Sequence, residues 1–252
     1  MKFLVVQGNE QMVNLFLPLG TVIHILNYSP ADEYLLDDVD CIVFTGGSDV
    51  DPSIYKQVKH NKVWSSVERD ESEKVLYHKA VELGIPMVGI CRGAQFLTVM
   101  NGGSLYQHVD GHVNGHPIDV LGLDGKHTTV YASSTHHQMM NPFDLPDDEY
   151  VLLGYSSPRQ AFKYEYMPPT GSGVYGVLYH DKIDLPFEPE VVYYPYTDCL
   201  CYQPHPEHTD IRLNALRDHF YSFVEALTDF SLTNTLLGNK KLDPNKFKIK
   251  GD

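Results

Sequence analysis

Pro86-Met87-Val88-Gly89-Ile90-Cys91-Arg92-Gly93-Ala94-Gln95-Phe96-Leu97 is the stretch on which the reading of the fold turns. It opens as a short apolar run, places a cysteine between two glycines, and continues as a second apolar run. Pro86 to Ile90 has the length and composition of a strand covered on both faces, and Gly93 to Met100 that of a helix. A strand–turn–helix corner needs close backbone passage, which Gly89 and Gly93 permit. The side chain at its tip projects above the sheet edge, beside the unpaired N–H groups and positive dipole end of the next helix. A thiolate is favoured there, and the N–H of Arg92 can hold an oxyanion. This is the layout of a nucleophile elbow with sulfur in place of the serine oxygen. Taken alone, the corner fits a buried core cysteine equally well.

Outward from the corner, the first hundred residues alternate strand and helix. Strands are expected at Lys2–Gln7, Thr21–Asn27 and Cys41–Thr45, and a helix from Met12 to Leu19. A longer helix starts at the Ser65-Ser66-Val67-Glu68 capping box and stops at Gly84, before Pro86. Such alternation is the signature of a doubly wound parallel sheet. From Gly102 to Asp198 glycine, proline, histidine and tyrosine are dense. Strand candidates there are Thr128–Ala132, Tyr150–Tyr155, Gln160–Tyr164 and Val174–Tyr179, read as antiparallel additions. Cys199–Gln203 returns to a buried strand. Leu213, Leu216, Phe220, Phe223, Val224 and Leu227 then share one face of a final helix. We expect an α/β fold of three layers, a mostly parallel sheet flanked by helices, as one domain over residues 1–230. Residues 231–252 form a polar extension carrying Lys240, Lys241, Lys246, Lys248 and Lys250.

Gross composition narrows the function classes. A net charge of −14 disfavours nucleic-acid and anionic-membrane partners. No apolar run approaches a membrane span, and Met1 to Gly8 reads as a first strand rather than a signal peptide. Four cysteines in 252 residues are too sparse for a disulfide scaffold, and a reducing cytoplasm is the expected location.

A thiol nucleophile needs a base and a group to orient it. Gln203-Pro204-His205-Pro206-Glu207-His208 supplies both at the end of another strand. Ligands of open α/β sheets gather at the carboxyl ends of strands, where Cys91, His205 and the Gly46-Gly47 turn all fall.

With these residues in view, the chain resembles the class I glutamine amidotransferase superfamily, which has a flavodoxin-like fold. Its members carry a Gly-x-Cys-x-Gly-x-Gln elbow and a late His-Pro-Glu. Within it the chain is most similar to the γ-glutamyl-γ-aminobutyrate hydrolase branch. Thr45-Gly46-Gly47-Ser48-Asp49-Val50-Asp51-Pro52 with Tyr55, Arg69-Asp70 with Glu73, and Asn101-Gly102-Gly103-Ser104-Leu105-Tyr106-Gln107 match that branch, as does Ser134-Thr135-His136-His137-Gln138. The resemblance implies that Cys91 attacks a γ-glutamyl carbonyl, His205 moves the proton and Glu207 orients His205. It further implies an oxyanion hole from the N–H groups of Gly47 and Arg92, with Gly46 as the near rival. Gln95 would contact the glutamyl group, and His136, His137 and Gln138 would line the pocket mouth. No cofactor or metal is implied. The chain departs from the pattern at Pro204, where the family commonly has tryptophan, and at Ser133, where the branch often has asparagine. Gln160 stands where an acidic residue usually helps recognise substrate, so the amine half of the substrate stays open.

His108, His112 and His116 recur every fourth residue, but the intervening glycines oppose a helical metal site, and loop histidines are the plainer reading. Cys199 and Cys201 point to one side of a strand, and a zinc site with His205 is the minority reading. Only one of His136 and His137 can face the pocket if the segment is extended. Trp64 and the 17 tyrosines are read as core and pocket lining. Three functions remain: a stand-alone hydrolase of a small γ-glutamyl amide; a glutaminase subunit feeding a synthetase partner in trans, with glutamine as substrate; and a non-catalytic binding protein. A homodimer is compatible with each.

Overall fold

Alternate side chains of the first strand, β1 (Lys2–Val6), enter two different cores. Phe3 and Val5 pack on one face of the sheet, Leu4 and Val6 on the other, and all four are fully buried. This period of two, with both faces covered, is what a central parallel strand requires. The computed structural model describes residues 1–181 and 187–238. The lysines from Lys240 to Lys250 lie outside the described residues.

Helix α1 (Glu10–Phe16) follows, capped by Asn9, whose side chain accepts the Met12 N–H at 2.9 Å. Strand β2 (Thr21–Ile25), a 3-10 helix (Pro30–Asp38) and β3 (Cys41–Phe44) come next. Helix α2 (Val67–Leu83) is capped by Ser66, which accepts the Arg69 N–H at 3.4 Å. The expected cap at Ser65 is corrected: its hydroxyl instead donates to Asp51 at 2.6 Å. Gly84, at φ +67°, closes the helix, a conformation costly for any residue with a β-carbon. Strand β4 (Met87–Ile90) and helix α3 (Arg92–Met100) bracket the Cys91 corner.

The second half is strand-rich: β5 (Ser104–Tyr106), β6 (His108–Val109), β7 (His116–Leu121), β8 (His127–Ala132), β9 (Met139–Asn141) and β10 (Val151–Ser156). Then come β11 (Lys163–Tyr166), β12 (Leu178–Asp181), β13 (Pro189–Tyr194) and β14 (Cys199–Tyr202). Helices α4 (Asn214–Thr228) and α5 (Leu232–Leu237) follow, with Leu232 buried in the core. The strands expected at Gln160–Tyr164 and Val174–Tyr179 lie a few residues later, as β11 and β12. Sequence reading missed β7 and β13. Pro117 and Pro189, with Glu188 and Glu190, hid two strands that sit inside the sheet. Trp64 is 79% exposed, contrary to its expected place in the core or pocket lining.

The main sheet has nine strands in the order β2-β1-β3-β4-β14-β13-β10-β7-β8. The first five run parallel and the remaining pairings are antiparallel. One face carries α1 and α4, joined through Phe3, Phe16 and Phe220, whose rings stand 5.0 and 5.7 Å apart. Each such buried ring contributes about 1.5–3 kcal/mol relative to exposure. The other face carries α2 and α3 through Leu76, Tyr77, Ala80, Phe96 and Leu97. The expected three-layer α/β arrangement is observed. No described helix is long and apolar enough to cross a membrane.

Candidate active site

In the sheet order β4 lies between β3 and β14, so the carboxyl ends of three strands distant in sequence stand side by side. They deliver Cys91, the Thr45-Gly46-Gly47 turn and the Gln203–His205 segment to one edge. Cys91 adopts φ +53° and ψ −111°, a strained conformation for a non-glycine residue. Its N–H donates to Tyr202 O at 2.7 Å, and its carbonyl accepts the Gln95 N–H at 3.1 Å. Both flanking glycines are steric necessities. A β-carbon on Gly89 would lie 2.5 Å from Gly93 O, and one on Gly93 would lie 2.0 Å from Phe44 O.

His205 is fixed at several points. Its N–H donates to Ser133 Oγ at 2.8 Å, which gives a structural role to the unexpected serine. Its Nδ1–H donates to Glu207 Oε1 at 2.7 Å, and the ring borders the same glycine, Gly46, as the Cys91 side chain. The ring of His208 stacks on it at 4.7 Å, covering a face beside the tryptophan-to-proline change at Pro204. Burial pushes the His205 pKa down, but Cys91 and Glu207 outweigh it and hold it at about 10. His208 is lowered, by burial first and then by the His205 charge, and stays neutral. The thiols of Cys41, Cys199 and Cys201 are pushed up by burial, Cys199 to about 12. Cys199 and Cys201 do share a side, facing the α2–α3 core. Among the described residues, the group around His205 that could hold a metal is Glu207 and His208, without a cysteine.

The Thr45-Gly46-Gly47 turn is set by charged residues that stand out in the sequence as a motif but whose contacts only the fold reveals. Arg69 and Glu73, four apart on α2, share a helix face and pair at 2.7 Å. Arg69 donates to Gly46 O at 3.0 Å and to Thr45 O at 2.9 Å. In a trans peptide the C=O and the following N–H point in opposite directions. The N–H groups of Gly46 and Gly47 therefore point away from Arg69. Arg92, from the elbow itself, pairs with both Asp70 and Glu73 in a fully buried setting. Two guanidiniums and two carboxylates thus tie the elbow to the turn. Burial lowers Arg69 and raises Asp70. A β-carbon on Gly46 would lie 3.4 Å from His205 Cε1 and 3.7 Å from Cys91 Cβ, so this glycine borders both. At Gly47, with φ +147°, a β-carbon would strike Arg69 Nη1 at 2.2 Å. A cleft of about 280 Å³ opens here, lined by Gln7, Gly8, Gly46, Gly47, His205 and Glu207.

The remaining site candidates divide. Gln95 is buried and its Nε2 donates to Gln138 O at 3.0 Å and to Gln203 Oε1 at 3.1 Å. That leaves Nε2 committed to the protein. Both amide atoms of the buried Gln138 side chain, and Nε2 of Gln203, lack a partner. Gln203, which the sequence reading did not single out, joins this network; its signal was a polar residue closing an apolar strand two positions before His205. His136 is buried, donates from Nδ1 to Gln138 O at 2.8 Å, and packs 4.7 Å from the His112 ring. Burial lowers its pKa to about 3. His137 lies on a different contact, 3.1 Å from Asp49, and is partly exposed. The N–H of Gln160 donates to the buried Glu188 at 2.7 Å.

Residues 4–142 match the family described as Peptidase C26. Over 150 residues the chain is 36% identical to protein NtpR of Enterococcus hirae, spanning 58% of this chain and 59% of NtpR. Over 92 residues it is 39% identical to Rv2859c of Mycobacterium tuberculosis, provisionally named a glutamine amidotransferase, spanning 36% of this chain and 27% of that protein. The chain thus spans less than two thirds of the length of either relative. Among solved structures, a Thermoplasma acidophilum protein provisionally described as one component of a GMP synthase aligns at TM-score 0.61 and 18% identity, over 91% of this chain and 95% of that one. The glutaminase domain of Trypanosoma brucei CTPS with bound acivicin aligns at 0.57 and 11%, over 91% and 94%. At these identities the likeness establishes the fold, that of the glutamine amidotransferases.

Proposed function

The chain belongs to the Peptidase C26 family, and from that premise we propose that it hydrolyses the γ-glutamyl amide bond of a small glutamine-like compound through a thioester on Cys91. The observation that carries this reading is the convergence of Cys91, at a strained φ of +53°, with a His205 that is bonded to Glu207 and borders the same Gly46 turn as Cys91. The family match ends at residue 142, so His205 and Glu207 rest on this geometry.

The Cys91 S–H bond breaks as its proton passes to His205, the sulfur attacks the γ-carbonyl carbon, and a C–S bond forms as the carbonyl π pair moves onto oxygen. The N–H groups of Arg92 and Gly47 receive that oxyanion, with the Gly46 N–H beside them. The tetrahedral species collapses, the C–N bond breaks, and His205 gives its proton to the leaving amine. Water then attacks the thioester while His205 takes one of its protons, and the C–S bond breaks to release glutamate. Glu207 holds the imidazole through both steps. The unpartnered amide atoms of Gln138 and Gln203 are the polar groups we assign to the glutamyl end, with Gln95 bracing them.

Purified protein incubated with a series of γ-glutamyl amines and with glutamine should release glutamate from at least one, and an electrophilic glutamine analogue should label Cys91 alone. No release from any of them, with slow labelling of all four cysteines, would overturn the reading in favour of a non-catalytic scaffold. A second reading is favoured by the solved neighbours, two of which are described as a glutaminase domain and a synthase component. In it the same chemistry serves ammonia delivery to a synthetase partner. Glutaminase activity that appears only on adding a second protein would select it.

A further inference from the structure

Within the antiparallel half of the sheet a second cluster of ligating side chains is enclosed, sharing no residue with the catalytic triad. His116 lies in β7 and Glu190 in the neighbouring part of the sheet, in β13; His112 comes from the turn between β6 and β7. One ligand atom from each of the three lies within 4.8 Å of the others, and all three residues are buried. His116 Nε2 is 3.0 Å from Glu190 Oε1, and His112 Nδ1 is 3.6 Å from the same oxygen. Metal–ligand bonds of about 2.0–2.2 Å in a tetrahedron separate neighbouring ligand atoms by about 3.3–3.6 Å. The observed spacings bracket that range.

The outward-facing atoms are as informative as the inward-facing ones. A ligating histidine usually donates its second N–H to a carbonyl or carboxylate, which fixes the tautomer and leaves a bare lone pair on the other nitrogen. His116 Nδ1 faces Asn114 O at 3.2 Å, and His136 Nδ1 faces Gln138 O at 2.8 Å. His112 Nε2 faces the Glu188 carboxylate at 3.6 Å, and Glu188 is itself held by the N–H groups of Gln160 and Ala161 and by the Tyr164 hydroxyl. Among the described residues, Glu190 Oε2, His136 Nε2 and His112 Nε2 are buried with no hydrogen-bond partner, while His116 Nε2 lies 3.0 Å from Ser156 Oγ and His112 Nδ1 3.4 Å from Ser134 Oγ, hydroxyls that a bound cation would leave to Glu190 and the loop. Glu190 Oε1 accepts from Ser156 Oγ at 2.7 Å. Buried polar atoms left unpaired cost free energy, and a buried carboxylate costs more. A cation among them removes both penalties.

We propose that His112, His116 and Glu190 form a buried three-residue binding site for a divalent cation of the zinc class. Two imidazoles and one carboxylate in a buried setting select that class over oxygen-seeking calcium or magnesium. The consequence reaches the active site through one loop. Ser133 accepts the His205 N–H, and Gln138 O accepts from Gln95, so the loop that carries His136 also holds two groups of the catalytic edge. That loop packs against the cluster, the His136 N–H donating to His112 O at 3.1 Å, so a cation on His112 steadies it from behind and takes no part in the chemistry at Cys91.

The test is metal analysis of the full chain prepared in zinc and dialysed, together with the absorption spectrum after cobalt(II) replaces zinc. The expected result is one equivalent of zinc per chain in both wild type and Cys91→Ser. The cobalt spectrum should be that of a tetrahedral nitrogen–oxygen site without a thiolate charge-transfer band. The double variant His112→Gln/His116→Gln should bind none, and zinc should raise the thermal midpoint of wild type but not of that variant. A wild type that retains no metal would overturn the proposal, as would a thiolate band, loss of the metal in Cys91→Ser, or full retention in the double variant. A His208→Gln variant that keeps its zinc and its cobalt spectrum places the metal away from His205, Glu207 and His208 even if the double variant fails to fold, and loss of the metal in it would overturn the proposal.

Discussion

The parallel and antiparallel halves of the nine-stranded sheet bury different chemistry. Strands β1, β3, β4 and β14 are apolar on both faces, and their reactive groups wait beyond the carboxyl ends: the Gly46-Gly47 turn, Cys91 and His205. In β7 and β13 the polar groups lie inside the strands, where His116 and Glu190 are almost wholly enclosed. The parallel half therefore separates stability from function along each strand. The antiparallel half combines them at single positions, where each buried charge must be matched by a neighbour from another strand. A substitution at a parallel strand end should cost activity, and one in the antiparallel interior should cost structure.

The sharpest way to break that contrast is at the elbow. Cys91→Ala should lower kcat by on the order of 10⁴–10⁶-fold, as loss of a triad nucleophile does, while the thermal midpoint stays close to that of wild type. A collapse of the fold instead would mean that Cys91 is there for packing. His205→Ala should follow at about 10²–10⁴-fold, the usual worth of positioned acid–base catalysis. Glu207→Gln should cost less than His205→Ala in the same assay, because it keeps the proton carrier and loses only its orienting charge.

Arg69→Met tests whether the turn is held by charge. It frees the Thr45 and Gly46 carbonyls and leaves Glu73 with Arg92 alone. We expect kcat to fall by about 10²–10³-fold, as for an oxyanion donor lost, with a stability loss of about 3–5 kcal/mol for a broken buried pair. Steady-state kinetics beside urea denaturation separates the two effects; unchanged kcat would release Arg69 from its positioning role.

The alkaline limb of stability gives a smaller signal. Folded His205 keeps its proton up to about pH 10, whereas an unperturbed imidazole releases it near 6.5. Its contribution is therefore complete below pH 6.5 and falls away as pH rises toward 10. Wild type should lose stability relative to His205→Gln between pH 6.5 and 9 in urea titrations, and parallel curves would refute the assignment. Smallest of all, Trp64→Ala should change stability by no more than about 0.5 kcal/mol, since its ring is 79% exposed.

Much of the parallel half was legible because its signals are local. An apolar run of four or five residues, a glycine stop and a helix cap each lie within a few positions, and the Gly-x-Cys-x-Gly corner states its own steric need. Even there the cap was misplaced by one, because Ser65 and Ser66 compete and only the partner at Asp51 decides between them. Arg69, Asp70 and Glu73 were visible as a helical spacing, but their meaning depends on Arg92, which folding brings in from the elbow. In the antiparallel half the pattern that marks a strand was masked by the proline and glutamate of β13. The glycines between His108, His112 and His116 made all three look like loop residues, when two of them converge on Glu190.

The order of buried strands, the elbow and the presence of a cysteine, a histidine and a glutamate suited to a triad were determined by the sequence itself, since short-range sterics and hydrophobic period specify them. Which distant groups meet was decided only by the tertiary structure. The insertion of β4 between β3 and β14 joins Cys91 to His205, and the pairing of β7 and β13 through β10 brings His116 to Glu190. The physical reason is that a sheet's strand order is set by packing of the whole chain, and contacts between strand ends follow that order rather than position in the sequence.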